Sequence, residues 1–334
     1  MAKDSQHDDM HQYYELGKEA DRLSSSGAGR LEFERTQEIL LRNLPAPPAT
    51  IADIGGGPGR YALWLAGLGY RVVHRDLVPL HVEQVRAAVA AADSAGLADP
   101  ASVGDAAGVG DAAGVGDALA MGDAAATGDA AGVAGVKVAA AVGAAGAVGE
   151  RPLEMLVESA VGDARGLDLR DGSADAVLLL GPLYHLTRRA DRVQALREAG
   201  RVARPGGPVF AAAISRWAAR LDGMLRLRQY EKHPEVGGLV ETLERTGVLP
   251  PLGPGSFSAF THRPRQLMAE FASANLDVAD LVCVEGAAYL LNDLDERVAD
   301  HRAWQVILDT ARAHERVPEL MGLGSHLLAT GFRR

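Results

Sequence analysis

This 334-residue chain is poor in several residue types on which whole classes of protein depend. It has one cysteine, Cys283, so an internal disulfide and a cysteine metal site are both excluded. Cys283 lies in the apolar run Leu281-Val282-Cys283-Val284 and reads as a buried small hydrophobe, not a nucleophile. There is no H-E-x-x-H and no acid cluster at ligand spacing, so no metal is expected. No uncharged apolar run of about 18 residues lies outside an Ala/Gly tract, so no membrane span is expected. The opening MAKDSQHDDMHQ is polar and acidic, unlike a signal peptide. Basic residues are in deficit, 34 Lys and Arg against 44 Asp and Glu, for a net charge of −10. That argues against nucleic acid as the main partner, because phosphate binding needs a basic surface. A cytoplasmic protein is the expectation.

What is present is organised around Ile51-Ala52-Asp53-Ile54-Gly55-Gly56-Gly57-Pro58-Gly59-Arg60. An apolar run ends at an acid, a glycine-rich turn follows, and Tyr61 to Leu68 repeats at helical spacing. This is a strand, a tight loop and a helix, the opening unit of a nucleotide-binding α/β fold. The glycines let backbone approach a ligand where a side chain would clash. A dinucleotide fingerprint fails, since Arg60 occupies its last glycine position, and no G-K-[ST] ending is present. Asp53 to Gly59 resembles instead the first motif (D-x-G-x-G-x-G) of class I S-adenosylmethionine (SAM)-dependent methyltransferases.

Ahead of this unit, Leu31, Phe33, Ile39, Leu40 and Leu44 repeat at near-helical spacing until Pro45, Pro47 and Pro48. Residues 1–48 read as an N-terminal helical cap, and 49–334 as the main domain. After the loop, a β-branched run ends at Asp76, and Pro79 opens a helix to about Ala95. An acid at the end of a second strand accepts hydrogen bonds from ribose hydroxyls; a surface acid is the alternative. Residues 101–149 then repeat G-D-A-A-G-V, with drift, every six residues. A β-helix has this period, but such small side chains cannot pack an interior. The tract reads as a dispensable surface-loop insertion, too poor in apolar area to offset its ordering entropy.

Patterning resumes with a strand from Leu153 to Val161, followed by Gly162-Asp163-Ala164-Arg165. A fourth strand, Ala174 to Leu180, leads into Gly181-Pro182-Leu183-Tyr184-His185-Leu186. A helix over 189–203, the turn Arg204-Pro205-Gly206-Gly207 and a strand from Val209 to Ile214 come next. Residues 217–262 carry two helical patterns and a Pro/Gly-rich loop. Beyond them stand a helix from Pro264 to Asn275, a strand from Asp277 to Val284, a helix from Trp304 to Ala313 and a strand from Ser325 to Phe332.

Together D-I-G-G-G-P-G, G-D-A-R, G-P-L-Y-H-L and R-P-G-G resemble a bacterial group of class I methyltransferases of the small-molecule type. The resemblance covers about 31–95 and 153–334. It departs at the repeat tract and at His74-Arg75, where an apolar pair is usual. It implies an α/β fold with a seven-stranded, mostly parallel Rossmann-like sheet. The implied order is 3-2-1-4-5-7-6, with the seventh strand antiparallel, helices on both faces and a helical lid at 217–262. It implies SAM as cofactor, held by Asp53, Gly55, Gly57, Asp76, Leu77, Asp163, Ala164 and Gly181, with Asp163 on the adenine amino group. Arg35 is a candidate for the cofactor's carboxylate, with a solvated helix arginine as the alternative reading.

Methyl transfer from a sulfonium is an in-line displacement, so positioning supplies much of the rate and dedicated machinery is sparse. His185 follows a strand end that faces the methyl, and its ordinary pKa suits a base at neutral pH. A structural histidine is the alternative. Tyr184 reads as a pocket wall or an orienting hydroxyl, and His262 as a second candidate base. The expected reaction is methylation of a small-molecule oxygen, nitrogen or carbon. A peptide or RNA acceptor, or cofactor binding without catalysis, are the alternatives.

Overall fold

In the computed structural model, Thr50–Ile54 (β1) is apolar but for Thr50 and Asp53 and buried beyond its first residue, as suits a strand with neighbours on both edges. The structure describes residues 22–24, 26–94, 157–234, 236–250 and 257–334; the 101–149 repeat tract lies outside them. β1 pairs in parallel with β2 (Arg71–Asp76) on one edge and β4 (Ala176–Leu179) on the other. β3 (Val157–Val161) flanks β2, and β5 (Pro208–Ser215) flanks β4, both parallel. The last strand, β9 (His326–Arg333), runs antiparallel between β5 and β8 (Leu276–Cys283). These seven strands follow the expected order, with the final strand inserted ahead of the sixth.

Two further strands were not anticipated. β6 (Val248–Leu249) and β7 (Ala259–His262) form an antiparallel pair, and β7 joins β5 at Ile214 and Ser215. Ile214 already pairs with His326 of β9, so β7 takes the opposite edge, which β4 vacates beyond Leu179.

Successive strand residues face opposite sides of a sheet, and here each side has its own core. Ile51, Ala176, Leu178, Phe210 and Leu328 pack with α1 (Gly27–Leu41), α2 (Arg60–Gly67) and α3 (Pro79–Ser94). The chain leaves β4 through one turn of helix, α4 (Pro182–His185), before α5 (Arg189–Val202). Ala52, Val177, Leu179, Val209 and Ala211 face α5 on the other side.

The stretch expected as a helical lid holds α6 (Ala218–Leu221), a π-helical turn at Asp222–Arg226, α7 (Gln229–Lys232) and α8 (Val236–Thr246), besides β6 and β7. It has a small core of its own, built from Ala219, Val240, Leu243 and Leu249. The stretch is therefore mixed, not purely helical, and joins the sheet through β7. α9 (Pro264–Ser273) adds Leu267 and Phe271 to the α5 side. α10 (Leu294–Arg297) and α11 (His301–His314) pack around Leu31 of α1. Cys283 is buried, and burial pushes its thiol up to about 12, so it is inert as expected.

Candidate active site

β1 carries the chain to the carboxyl edge of the sheet, where it turns through Gly55, Gly57 and Gly59 at φ of 66°, 57° and 87°. A Cβ on Gly55 would stand 2.5 Å from Pro182 Cγ, so both the angle and the space demand glycine. Gly56 is constrained from below, where a Cβ would meet Asp53 Oδ2 at 2.4 Å and His74 Cδ2 at 2.7 Å.

Asp76, at the end of β2, holds this loop. Its Oδ2 accepts from Gly57 N–H at 2.8 Å; its Oδ1 accepts from Val78 N–H at 2.9 Å and lies 3.0 Å from His81 Nδ1. Burial pushes the carboxyl up, but hydrogen bonds from His81 and Val78 outweigh it and hold Asp76 below its ordinary range. A carboxylate offers about four acceptor sites, which leaves Asp76 one, on Oδ2. Acceptance from both ribose hydroxyls therefore requires His81 to give way.

The unusual pair ahead of Asp76 is fully accounted for. His74 Nε2 lies 3.0 Å from the Gly57 carbonyl and Nδ1 2.9 Å from Ser159 Oγ, so the imidazole braces the glycine loop. Arg75 donates to Asp168 at 2.8 Å and Glu158 at 2.7 Å. Buried polar side chains persist where every group is answered in this way.

A cavity of about 240 Å³ opens against the loop. It is lined by Gly55 and Gly57, by the strand-end pairs Asp76-Leu77 and Asp163-Ala164, and by Gly181, Tyr184 and His185. The topology thus gathers nine of the eleven expected residues from four separate stretches. Asp163 shares its carboxylate with Arg165, which donates from its backbone at 2.9 Å and its guanidinium at 2.6 Å. An adenine amino group would share that carboxylate too.

Two expectations are corrected. Asp53 does not line the cavity. It is fully buried beneath Gly56, with neither carboxylate oxygen hydrogen-bonded. Burial, together with the charge of Asp76, pushes this carboxyl up to about 7. Arg35 does not reach the cavity either. Its guanidinium pairs with Glu315 at 2.5 Å and with Glu38, and donates to the Val284 carbonyl at 3.2 Å. Arg35 shares a helix face with Ile39, four residues on, and that face is turned into the protein.

His185 does line the cavity, with its ring 4.6 Å from that of Tyr184 and 4.8 Å from that of Phe257. Burial pulls its imidazole down to about 4, so it is neutral at pH 7 but weakly basic. His262, the second candidate, is fully buried away from the cavity, 3.1 Å from Glu270. Sequence reasoning missed the cavity arginines Arg22, Arg60 and Arg188. Arg60 was legible, since it directly follows the last loop glycine; its guanidinium lies over Phe33 at 5.4 Å. Nothing in the sequence marks Arg22.

A family described as a methyltransferase domain matches residues 112–211. The match begins in the repeat tract and takes in β3, β4, α5 and half of β5, while the glycine loop and Asp76 precede it and reach the same cavity through the fold. Over these residues the chain carries a methyltransferase domain. Glycines that allow close backbone approach and strand-end acids around one cavity suit its cofactor, SAM.

No curated protein matches this methyltransferase. Solved structures resemble it at low identity. A putative methyltransferase from Haloferax volcanii, in complex with the Trm112 methyltransferase activator, is 15% identical, with 97% of each chain covered and a TM-score of 0.49. A SAM-dependent methyltransferase from Thermotoga maritima, a possible histamine N-methyltransferase, is 14% identical, with 98% of this chain and 100% of that one covered and a TM-score of 0.47. The geranyl diphosphate C-methyltransferase of Streptomyces coelicolor is 12% identical, with 90% and 79% covered and a TM-score of 0.43. At these values the likenesses bear on neither acceptor nor partner. No described helix is long and apolar enough to cross a membrane.

Proposed function

We propose that this methyltransferase passes the methyl group of SAM to an oxygen, nitrogen or carbon nucleophile of a small molecule. The observation that carries this reading is Phe257 of the lid stretch. Its ring packs on His185 and clusters with Val78 and Leu77, all three of which line the cavity. A covered site suits a small acceptor better than a folded macromolecule, and the acidic chain offers no general attraction to nucleic acid.

Asp76 takes a ribose hydroxyl, the Asp163-Ala164 edge takes adenine, and the guanidiniums of Arg22 and Arg60 answer the amino-acid carboxylate. The acceptor's electron pair attacks the methyl carbon, the C–S bond breaks with its pair left on sulfur, and any acceptor proton passes to water or a base. His185 and Tyr184 orient the acceptor, with His185 as a neutral hydrogen-bonding ring. Binding the reactants in line is the main source of rate.

S-adenosylhomocysteine at a hundred times its Kd should stabilise the protein by about 2.7 kcal/mol. Asp76→Ala should abolish that shift. A folded wild type that shows no shift at saturating ligand would sink the reading.

A further inference from the structure

We infer that Arg192 is a positioning residue for methyl transfer: its buried guanidinium, clamped by Glu270 and His262, holds the turn that presents Tyr184 and His185 to the cavity. The turn needs such a partner. β4 ends at Leu179, α4 is a single turn over Pro182–His185, and α5 starts only at Arg189. Leu186 has already left helical geometry, at φ −91° and ψ 94°. Its carbonyl and that of Thr187 fall outside both helices, and a half-buried backbone carbonyl needs a donor. Arg192 Nη1 donates to both, at 2.8 Å and 2.9 Å. A helical side chain leans toward the N-terminus of its own helix, so a residue one turn into α5 reaches back to the segment ahead of it.

The rest of the guanidinium is fixed from two other elements. Arg192 Nε donates to the Glu270 carboxylate of α9 at 3.0 Å, and Nη2 donates to it at 2.7 Å. His262 Nε2, at the end of β7, lies 3.1 Å from Glu270 Oε2. The guanidinium lies over the Phe260 ring of β7 at 3.5 Å. Arg192 and Glu270 are each 2% exposed, and His262 is fully buried. His262 Nδ1 makes no hydrogen bond, so the polar tie of this ring is to the clamp. β7 pairs with β5 at Ile214 and Ser215, so the network refers the turn to the sheet itself.

Docking α9 on α5 does not require the clamp. Leu267 and Phe271 pack into the core on the α5 side, and Arg189 and Arg197 both reach Ser273, at 2.6 and 3.0 Å. A buried ion pair is weak evidence for stability, since a well-packed apolar pair often serves as well. An apolar pair could not hold two carbonyls of an irregular turn. Leu186 and Thr187 line the cavity beside Tyr184 and His185, while Arg192 does not. Arg192 thus acts through the turn and not on a reactant. The inference rests on the methyltransferase reading, in which Tyr184 and His185 orient the acceptor. Misplacement by about an ångström can cost roughly 100-fold in rate, and a loss of that order in kcat is expected when the clamp is cut.

The test reads the turn directly, by NMR titration of the His185 ring in the full chain, its signal identified by its loss in His185→Gln. Burial holds that imidazole at about 4; Asp76 and His81 also act on it, and both are unchanged in the variants. Arg192→Lys keeps the charge but loses the planar fork that spans Glu270 and both carbonyls. His185 should then rise from about 4 toward the ordinary 6.5 as water reaches the ring. Leu267→Ala, which removes core packing from α9 and leaves the clamp, should keep it at about 4. The inference is overturned by a His185 that stays put in folded Arg192→Lys, moves equally in Leu267→Ala, or already titrates near 6.5 in the wild type. Circular dichroism checks each fold, and Glu270→Gln, with the same expectation, stands in if Arg192→Lys unfolds. The S-adenosylhomocysteine thermal shift of the wild type, run in parallel, separates the two readings. A protein that binds that ligand while His185 stays put loses only the clamp. One that does not bind it loses the catalytic role of Arg192 even where His185 moves.

Discussion

Asp53 and Asp76 lie in the same loop region, and their environments push them apart. Asp76 is held ionised by three hydrogen-bonding partners, while Asp53 is buried with none. The folded Asp53 carboxyl titrates at about 7 against an ordinary 3.8, so between these values the folded state keeps a proton that the unfolded chain has lost. Its contribution is fully present below about pH 4 and is lost as pH rises through 7, a change on the order of 4 kcal/mol. Asp53→Asn should therefore flatten the fall in stability over this range in chemical melts. An unchanged slope would show that another group titrates there. His185 has the opposite sign. Its folded pKa of about 4 lies below the ordinary 6.5, so its contribution is present above that value and lost as pH falls through 4. So weak a base contributes less than the 10²–10⁴-fold of a matched one. His185→Ala should lower kcat by about tenfold, and the wild-type rate profile should show no inflection from this group between pH 6 and 7.

At the scale of the element, the decisive unit is the turn from β1 into α2. Three glycines take positive φ, His74 braces the loop at Gly57, and Asp76 holds the Gly57 N–H. Gly55→Ala combines a strained φ with a contact 2.5 Å from Pro182 Cγ. The strain alone costs about 1–3 kcal/mol. A lower Tm and loss of the S-adenosylhomocysteine shift are expected, and a variant that kept both would show that the loop relaxes freely. The lid teaches a different lesson. Its helices were legible from Trp217, Leu221, Val236, Val240 and Leu243, but β6 and β7 were not. Val248–Leu249 is too short to show a period, and the fully buried β7 reads as an apolar run only in part, because it contains Thr261 and His262.

For the whole molecule, the sheet continues from α3 to β3 across the repeat tract without losing its order. Loop-closure entropy changes by only about 0.6 kcal/mol for each doubling of length. Replacing residues 101–149 with a short Gly/Ser linker should leave Tm nearly unchanged and S-adenosylhomocysteine binding intact. A large loss of either would give the tract a structural role.

By itself the sequence determined the strands other than β6 and β7, the glycine loop, the strand-end acids and the order in which they follow one another. These rest on local causes: continuous apolar runs in the buried strands, positive φ at glycine and the proline breaks, all of which are written within a few residues. Only the tertiary structure decided which polar groups face the cavity. Arg35 and Arg22 are each paired with a glutamate, Glu315 and Glu32, yet only Arg22 lines the cavity. Asp53 carries the motif's acid but lies under the loop, because the direction of a side chain depends on what packs across from it. Glu32 stands 253 residues before Glu285 and 294 before His326, yet the three come together where β9 runs back along β8. Contacts of that separation leave no spacing to read.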